Sequence, residues 1–448
     1  MLKMSIILII GGMDDCIILN IFSKQIGGNM QGESGKLRIF HTSDWHLGRL
    51  LHEQARDEEF DAFLAWLLAA IEREKIDVLL IAGDIFDTSN PTHAAQQRYY
   101  QFCTNLSRTC CRHAVITSGN HDSTSFIDVP SELLHCLNVH VIGQPRFGAG
   151  KSGDPADEVI VLKDAGGNDE LIVAAVPFLS DGDVRFSADG EDTTTKAQKM
   201  IAGVSAHYRA VAEAAERIRD GRNIPVIGMG HLYVDGGIHE EDDGVRVTYI
   251  GMLGGVGTSV FPASLDYVAL GHLHVPQSVG GSDRIRYSGS PLAMGFGEAG
   301  QQKSLCRIVF DGKTPKISLC EIPCFHQMAR IAGDRAAIES GIRALVNRHE
   351  ATYISVTYTG TDYIESVQEL VDTCIGDADY IKCLYTQNNY IALPGGAEDD
   401  EDGCESLAEL DEKAVFGKLL DAKCPGISAQ DRSELMKTFD ELLILSGL

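Results

Sequence analysis

The chain has 448 residues, an apolar fraction of 44% and a formal net charge of −26 at pH 7. Its length and apolar content predict two or three domains with large cores. The acidic balance argues against a nucleic-acid surface built from this chain's own Lys and Arg, because such binding depends on neutralising phosphates. The 12 scattered cysteines show no zinc-site spacing, which favours reduced thiols and a cytoplasmic protein.

Residues 1–34 are predicted to form an N-terminal extension. Their apolar runs at Met4–Ile10 and Cys16–Leu19 are short and interrupted. Neither run reaches the ~18–20 residues of a membrane helix, and no small-residue cleavage site indicates a signal peptide. We expect the extension to be disordered or to precede the true start, for which Met30 is the candidate, and we expect no association with a membrane.

From residue 35 to residue 325, apolar β-branched runs alternate with amphipathic patterns. Apolar runs of this length followed by Gly predict buried strands with turns at their carboxyl ends. The amphipathic patterns predict helices at Glu53–Glu74, Thr92–Cys111 and Thr195–Asp220. A turn at Asp164–Asp169 predicts a hairpin.

After Phe325 the pattern changes. Helical patterns at Asp334–His349 and Ile364–Ile375 alternate with predicted strands at Tyr353–Tyr358 and Tyr380–Tyr385, which indicates a small α+β unit over residues 326–395. Residues 396–405 are predicted to be an acidic linker, since residues 396–413 hold nine acidic side chains and one Lys. Two further amphipathic patterns predict a helical tail over residues 406–448.

Five of the predicted strands end in a segment of oxygen or imidazole side chains. The segments are Asp44-Trp45-His46, Gly83-Asp84, Gly119-Asn120-His121-Asp122, Gly230-His231 and Gly271-His272-Leu273-His274. Asp, Asn and His without a thiolate form the ligand set of a hydrolytic two-metal site. Loops at one edge of a sheet can converge on one crevice, and glycines beside the ligands allow a close approach of the backbone.

The ligand types set limits on the metal site. Asp84 is the lone carboxylate of its segment and is the natural bridge between two divalent ions roughly 3.5–4 Å apart. Asp44 and His46 lie two residues apart, so in an extended segment both face the same side and can share an ion. Oxygen and imidazole ligands suit manganese, iron or zinc better than calcium. We expect two divalent ions, Mn²⁺ first, with Fe²⁺ or Mg²⁺ as alternatives.

The five segments resemble the signature of the calcineurin-like metallophosphoesterases. Within that superfamily, four stretches resemble the bacterial SbcD nuclease subunits of SbcCD complexes: His41–Gly48, Ala82–Thr88, Asp266–His274 and Arg286–Leu292. The resemblance covers about residues 37–322. Archaeal and eukaryotic double-strand-break repair nucleases share the five segments but usually have His where this chain has Asp87. That difference favours the bacterial branch and leaves a catalytic role for residue 87 in doubt.

The resemblance implies an α/β fold, a two-sheet α/β/β/α metallophosphoesterase sandwich with a small α+β cap domain and a C-terminal helical tail. It places Asp44, His46 and His274 on one ion, and Asn120, His231 and His272 on the other. It also implies that His121 orients the phosphate or protonates the leaving group. Asp122 is expected to hold the ring of His121, since a carboxylate partner fixes a histidine's tautomer.

The activity implied by the resemblance is that of an ATP-assisted DNA nuclease. Members of this family degrade duplex ends from the 3′ side and cut hairpins and single strands, as a homodimer within a heterotetramer. The chain has no Gly-x-x-x-x-Gly-Lys-Ser/Thr phosphate loop and no long heptad run. The ATPase is therefore expected to be a separate SbcC-type coiled-coil chain, on which the tail docks.

Two other hypotheses stay open at this point. A metallophosphoesterase of small phosphoesters would share the five segments, but it would not account for the cap, the tail or the stretch Ser43–Gly48. A non-enzymatic scaffold with the same fold would be expected to have lost ligands, whereas every expected position is filled here.

Overall fold

The structure is a computed structural model that describes residues 36–185, 192–238 and 255–390, together with seven positions further along the chain. Those positions are Phe416, Leu420, Arg432, Leu435, Met436, Thr438 and Phe439, all helical. Residues up to Tyr390 belong to one compact unit and residues from Ile391 onward to a second. The predicted N-terminal extension and acidic linker lie outside the described residues, as does the predicted tail apart from those positions.

The first unit contains seventeen strands and eight helices among its described residues. The strands are β1 (Leu37–Thr42), β2 (Val78–Ala82), β3 (His113–Thr117), β4 (Val139–Ile142), β5 (Phe147–Gly148), β6 (Lys151–Ser152), β7 (Val159–Lys163), β8 (Asp169–Ala175), β9 (Val226–His231), β10 (Tyr267–Gly271), β11 (Gln277–Val279), β12 (Ser282–Tyr287), β13 (Ser304–Asp311), β14 (Thr314–Glu321), β15 (Gln327–Gly333), β16 (Thr352–Tyr358) and β17 (Ile381–Asn388). The helices are α1 (Asp57–Glu74), α2 (His93–Leu106), α3 (Thr124–Asp128), α4 (Ser131–His135), α5 (Asp181–Val184), α6 (Thr193–Arg219), α7 (Arg335–Val346) and α8 (Val367–Ile375).

Two six-stranded sheets form the larger part of this unit. The first sheet has the order β14-β13-β1-β2-β3-β4, and the second has the order β11-β12-β10-β9-β8-β7. Strands β1 to β4 run parallel to one another, as do β8, β9, β10 and β12. The carboxyl ends of parallel neighbours lie at the same edge of a sheet, which is where the predicted site segments begin.

The alternation of side chains along the strands explains how the sheets pack. In β2, Val78 and Leu80 lie in a core shared with Val173 and Ile227 of the second sheet. The intervening Leu79 instead packs with α1 and α2 on the outer face of the first sheet. A further core joins α6 to the outer face of the second sheet. Because successive side chains of a strand point to opposite faces, this arrangement gives the predicted α/β/β/α order of layers.

A smaller sheet follows in the chain. It has the order β15-β16-β17, all parallel, and the helices α7 and α8 share one apolar cluster with it. The sequence predicted both helices and the strands β16 and β17, but it did not predict β15. Strand β15 is largely exposed or half-buried, so its sequence has no sustained apolar run. Leu51, Phe296 and Tyr353 pack together where the smaller sheet meets the larger part of the first unit.

The predicted helices of the larger part are present, with shifted ends. Helix α1 begins at Asp57 rather than Glu53, because Leu51 and Gln54 exchange backbone hydrogen bonds in a tight turn ahead of it. Helix α2 ends at Leu106, where the chain enters a turn. Strands β7 and β8 form the predicted antiparallel hairpin. Within the described residues, no helix is both long and apolar enough to cross a membrane.

Candidate metal centre

The predicted site residues lie just beyond, or at the last residue of, five parallel strands. Strands β1, β2 and β3 of the first sheet lead into three of the segments, and strands β9 and β10 of the second sheet lead into the other two. Six of the seven predicted ligands are buried, with at most 4% of their surface exposed: Asp44, His46, Asp84, His231, His272 and His274. Asn120 and His121 are half-buried. Polar side chains buried to this extent need partners, so their arrangement is informative.

One group of side chains consists of Asp44, His46 and His274. Each offers a ligand atom, and these atoms all lie within 4.8 Å of one another. The Nε2 atoms of His46 and His274 face each other at 3.2 Å. Burial lowers the pKa of both rings, so both are neutral imidazoles that can donate a lone pair. The first group therefore has the composition of a site for one cation.

A second group consists of Asn120, His231 and His272. The Oδ1 atom of Asn120 lies 3.1 Å from Nε2 of His231 and 3.0 Å from Nδ1 of His272. Asn120 and His272 lie in loops that follow β3 and β10, and His231 is the last residue of β9, so both sheets contribute to the group. The structure thus brings together the same three residues that the resemblance assigned to a second ion.

Asp84 lies between the two groups. Its Oδ2 atom is 3.6 Å from Nε2 of His46 in the first group and 3.2 Å from Nε2 of His231 in the second. The backbone N–H of His121 donates to its other oxygen, Oδ1, at 2.9 Å. A carboxylate with this placement can contact both ions of a dinuclear site, as the sequence predicted.

The backbone at the site is strained. Asp44, His46, Asp84 and His272 have φ values of 54°, 47°, 49° and 104°, in the left-handed region that side chains other than glycine rarely adopt. The backbone N–H of Asp44 donates a hydrogen bond to the carbonyl of Gly83, and that of His46 donates to the carbonyl of Asp84. The loops after β1 and β2 therefore hold each other in place. Strain of this kind clusters at functional sites, where surrounding contacts hold it.

Two of the glycines next to these segments are required by close packing. A Cβ on Gly119 would lie 2.1 Å from Oδ1 of Asp84, and one on Gly83 would lie 2.2 Å from Nδ1 of His231. Gly83 also has a φ of 85°. At these positions glycine lets the backbone pass close to the proposed ligand side chains, while a close approach of the backbone to a metal stays a prediction.

The electrostatics of the cluster favour a cation beside Asp84. Burial acts to raise the pKa of Asp84, but His231 and His46 nearby hold it well below its usual range. Burial acts to lower the pKa of His231, yet Asp84 raises it to about 9. Asp44 is different, because burial raises its pKa to about 7 despite the opposing effect of His231. The ionised carboxylate of Asp84 is therefore stabilised by positive charge close to it.

The structure gives Asp122 a different role from the one expected. Its oxygens accept hydrogen bonds from the backbone N–H groups of Ile85, Phe86 and Gly119, at 3.2, 2.9 and 2.9 Å. The expectation that Asp122 holds the ring of His121 is therefore corrected, since three amides occupy its oxygens. Asp122 fixes two of the site loops to each other.

The partner of the His121 ring is Asp87. The Nδ1 atom of His121 lies 2.8 Å from the backbone carbonyl of Asp87, and the Asp87 carboxylate lies 3.4 Å from Nδ1 of His46. Ligand atoms of His46, Asp87 and His121 also lie within 4.8 Å of one another. The sequence left the role of residue 87 in doubt, although a carboxylate three residues after Asp84 is a signal that could have drawn attention to it.

Two further charged residues near the site were missed entirely. Glu298 and Lys303 are buried, their side chains are 2.9 Å apart, and Nζ of Lys303 donates to the carbonyl of His274 at 3.0 Å. They lie more than twenty residues beyond the last site segment, in a stretch without a recognisable pattern. Only the folded chain brings them to the metal centre.

The donor set fits divalent metal ions. The seven predicted ligands offer three side chains with oxygen donors and four imidazoles, arranged as two converging groups with a carboxylate between them. Such donors suit first-row divalent metals, which act in pairs at many hydrolytic sites.

Comparisons with known proteins agree with this geometry. Residues 37–276 match the family described as Calcineurin-like phosphoesterase, and residues 324–423 match the family described as Type 5 capsule protein repressor C-terminal domain. The SbcD subunit of the SbcCD nuclease from Escherichia coli strain K12 is 32% identical over 338 residues, which cover 75% of this chain and 81% of that protein.

Two other SbcD subunits of SbcCD nucleases are also similar. The one from Rhodobacter capsulatus is 38% identical over 265 residues, which cover 59% of this chain and 64% of that protein. The one from Bacillus subtilis strain 168 is 34% identical over 273 residues, covering 60% of this chain and 65% of that protein. This chain therefore belongs to the SbcD family of calcineurin-like phosphoesterases and is a hydrolase of phosphoester bonds.

Proposed function

We propose that this chain is the nuclease subunit of an SbcCD-type complex in the cytoplasm, and that it hydrolyses DNA phosphodiesters at a dinuclear metal centre. The observation that carries the proposal is the position of Asp84 between two convergent groups of ligand side chains. The relatives named as nuclease subunits support a nucleic acid as the substrate. All nine cysteines among the described residues are free, which fits a reducing compartment.

The proposed ligands follow from the two groups. Asp44, His46 and His274 would hold one ion, Asn120, His231 and His272 would hold the other, and Asp84 would contact both. Mn²⁺ is the proposed metal, with Fe²⁺ or Mg²⁺ as alternatives, because oxygen and imidazole donors suit these ions. When bound, the two ions would supply positive charge at the phosphate and lower the pKa of the attacking water.

His121 is the proposed proton-transfer group. A carbonyl oxygen can only accept a hydrogen bond, so Nδ1 of His121 carries a proton and donates it to the Asp87 carbonyl. When the ring is doubly protonated, Nε2 carries a second proton, which can bond to a phosphate oxygen or pass to the leaving 3′ oxygen of a DNA strand. Asp122 supports this geometry indirectly, because it ties the His121 loop to the loop that follows β2.

A small-molecule phosphodiesterase is the competing function. It would use the same ligands, but it offers no reason for the appended sheet β15–β17 with helices α7 and α8. That unit lies within residues 324–423, which match a family of their own. We propose that it is a cap that recognises DNA beside the metal centre.

The test compares the two substrates directly. Purified full-length protein with Mn²⁺ is incubated with duplex ends, DNA hairpins and single strands, and separately with a chromogenic phosphodiester. We expect metal-dependent cutting of DNA, degradation of duplex ends from the 3′ side, and no cutting by an Asp84→Asn control. Turnover of the small phosphodiester without any cutting of DNA would contradict the proposal and favour the competing function.

The proposed partner is an SbcC-type coiled-coil ATPase, in a heterotetramer that contains two copies of this chain. The relatives are named as one subunit of SbcCD, which supports a second kind of subunit. The partner could also supply the basic DNA surface that a chain of net charge −26 lacks. A chain ending at Gly396 should keep Mn²⁺-dependent cutting of single strands but fail to co-purify with the ATPase. Unchanged binding would show that the proposed tail is not the docking element.

A further inference from the structure

The two ligand groups differ in the side chains that face the outer ring nitrogens of their histidines, the nitrogens that point away from the other ligands. In the first group, Nδ1 of His46 lies 3.4 Å from the carboxylate of Asp87. This carboxylate is itself paired with Arg49, whose Nη1 atom is 3.2 Å away.

The other histidine of the first group has a matching arrangement. Nδ1 of His274 lies 3.8 Å from the carboxylate of Glu298, whose side chain is fully buried. Lys303 pairs with this carboxylate at 2.9 Å, and Nζ of Lys303 also donates to the carbonyl of His274. The backbone N–H of Met294 donates to Glu298 at 2.7 Å, which fixes the carboxylate in place. Each histidine of the first group thus faces a carboxylate that is paired with a cation.

Among the described residues, the histidines of the second group lack an outer carboxylate of this kind. Nδ1 of His231 donates to the carbonyl of Ala82 at 2.9 Å. The nearest carboxylate, that of Asp44, is 4.0 Å from this atom, and Asp44 is itself a proposed ligand of the first ion. Nε2 of His272 is buried and has no hydrogen-bond partner in the described part of the chain; the same holds for Nδ1 of His46 in the first group, so the groups differ in the nearby carboxylate and not in a hydrogen bond. No outer carboxylate that is not itself a ligand approaches either ring within the described residues.

We propose that Asp87 and Glu298 are positioning residues that fix the rings of His46 and His274 and make the ion of the first group the more tightly bound of the two. The inference rests on the proposed dinuclear centre. A carboxylate behind a metal-binding imidazole fixes its tautomer and orientation and raises the basicity of its other nitrogen. Loss of such a partner typically lowers metal affinity about 10–100-fold. A neutral carbonyl strengthens the ligand less.

The test is calorimetric titration of the metal-free full-length protein with Mn²⁺, followed by electron paramagnetic resonance to count bound ions. We expect two classes of sites in the unaltered protein. Asp87→Asn should weaken the tighter class by about 10–100-fold and leave the weaker class within about twofold. Glu298→Gln should do the same. Asn120→Ala should remove the weaker class and spare the tighter one, which assigns each class to its group.

Glu59→Gln is the matched control. Glu59 is a buried carboxylate paired with Arg56 at 2.7 Å, and its ion pair involves none of the proposed ligands. Its replacement removes a buried ion pair but should leave both affinities unchanged. Thermal melting of every variant shows whether it is folded. Asp87 is 25% exposed in its side chain, so Asp87→Asn is expected to fold even if Glu298→Gln does not.

Three results would overturn the inference. The first is equal Mn²⁺ affinity of the two classes of sites in the unaltered protein. The second is an equal loss of Mn²⁺ affinity in both classes for folded Asp87→Asn. The third is loss of the tighter class of sites in Asn120→Ala. Each would leave the dinuclear centre itself intact. Failure to bind any Mn²⁺ would instead contradict the proposed function as well.

Discussion

The two six-stranded sheets contribute to the site unequally. The loops after β1, β2 and β3 of the first sheet carry all three oxygen ligands, Asp44, Asp84 and Asn120, together with His46. Strands β9 and β10 of the second sheet lead into imidazoles alone. Each ligand group draws on both sheets, so neither sheet holds a complete group by itself. The proposed centre therefore lies at the boundary between the two sheets, and the positions of its ligands depend on how the sheets pack.

The sheets differ in backbone strain as well. The first sheet positions three proposed ligands with a positive φ, Asp44, His46 and Asp84, whereas the second positions one, His272. The loops of the first sheet also bond to each other through backbone groups and through Asp122. Backbone strain of about 1–3 kcal/mol per residue persists only where such contacts hold it. The first sheet is thus the more highly constrained half of the site.

The largest expected effect comes from the carboxylate between the groups. Asp84→Ala should lower DNA cleavage by at least about 10³-fold, because both ions lose a ligand and several kcal/mol of transition-state stabilisation disappear. Bound metal, measured by elemental analysis, should fall from about two ions per chain to one or none. Full activity with two ions bound would show that another residue bridges the two ions.

His121→Ala tests whether the first sheet also supplies a group that acts on the substrate. Metal content should stay near two ions per chain, while turnover falls by roughly 10²-fold or more, since His121 is proposed to act on the phosphate. Single-turnover kinetics and elemental analysis give the two readouts. A parallel loss of metal would make His121 a ligand instead.

Metal binding should stabilise the folded protein, because each ion would contact ligands from both sheets. A ligand at about 100 times its dissociation constant stabilises a folded protein by about 2.7 kcal/mol, and we expect Mn²⁺ to raise the melting temperature by roughly 2–8 °C. A chelator should reverse the rise. The Asp84→Ala variant serves as the control and should show little change. An equal rise in that variant would mean that the metal acts elsewhere.

The smallest expected effect concerns a histidine cluster on the first sheet, away from the metal centre. Burial, with the neighbouring His113 and His135, lowers the pKa of His140 to about 4. The unfolded chain, with an ordinary pKa of about 6.5, then binds more protons between these values, so stability falls as the pH falls from about 6.5 toward 4.

Removal of this group should reduce the pH dependence. Between pH 7 and pH 5, the melting temperature of His140→Gln should drop by about 2 °C less than that of the unaltered protein, with chelator present in both samples. Histidines that do not contact His140 contribute equally to the two proteins and cancel, so the difference reports on His140 together with its neighbours His113 and His135. Identical pH profiles would show that His140 does not titrate differently on folding.

Much of the fold and the site can be predicted from the sequence, because strand ends and ligand types are local features. Apolar runs such as Val78–Ala82 define buried strands, and the polar segments that follow them identify the candidate ligands. Helix α1 is predicted from its apolar face, yet its start is displaced by a turn at Leu51 and Gln54 that no periodicity reveals. Strand β15 is missed because its exposed side chains give no apolar signal.

The sequence by itself determined which residues could bind metal, since Asp84, His231 and the other ligands have the right donor atoms after the right strands. Only the tertiary structure decided which of them meet. Asn120 approaches His231 and His272 although 111 and 152 residues separate them in the chain. The same packing brings the Asp122 carboxylate to the backbone amides of Ile85 and Phe86, and Glu298 behind His274. These contacts depend on the register of two sheets against each other, a long-range property that local residue patterns do not contain.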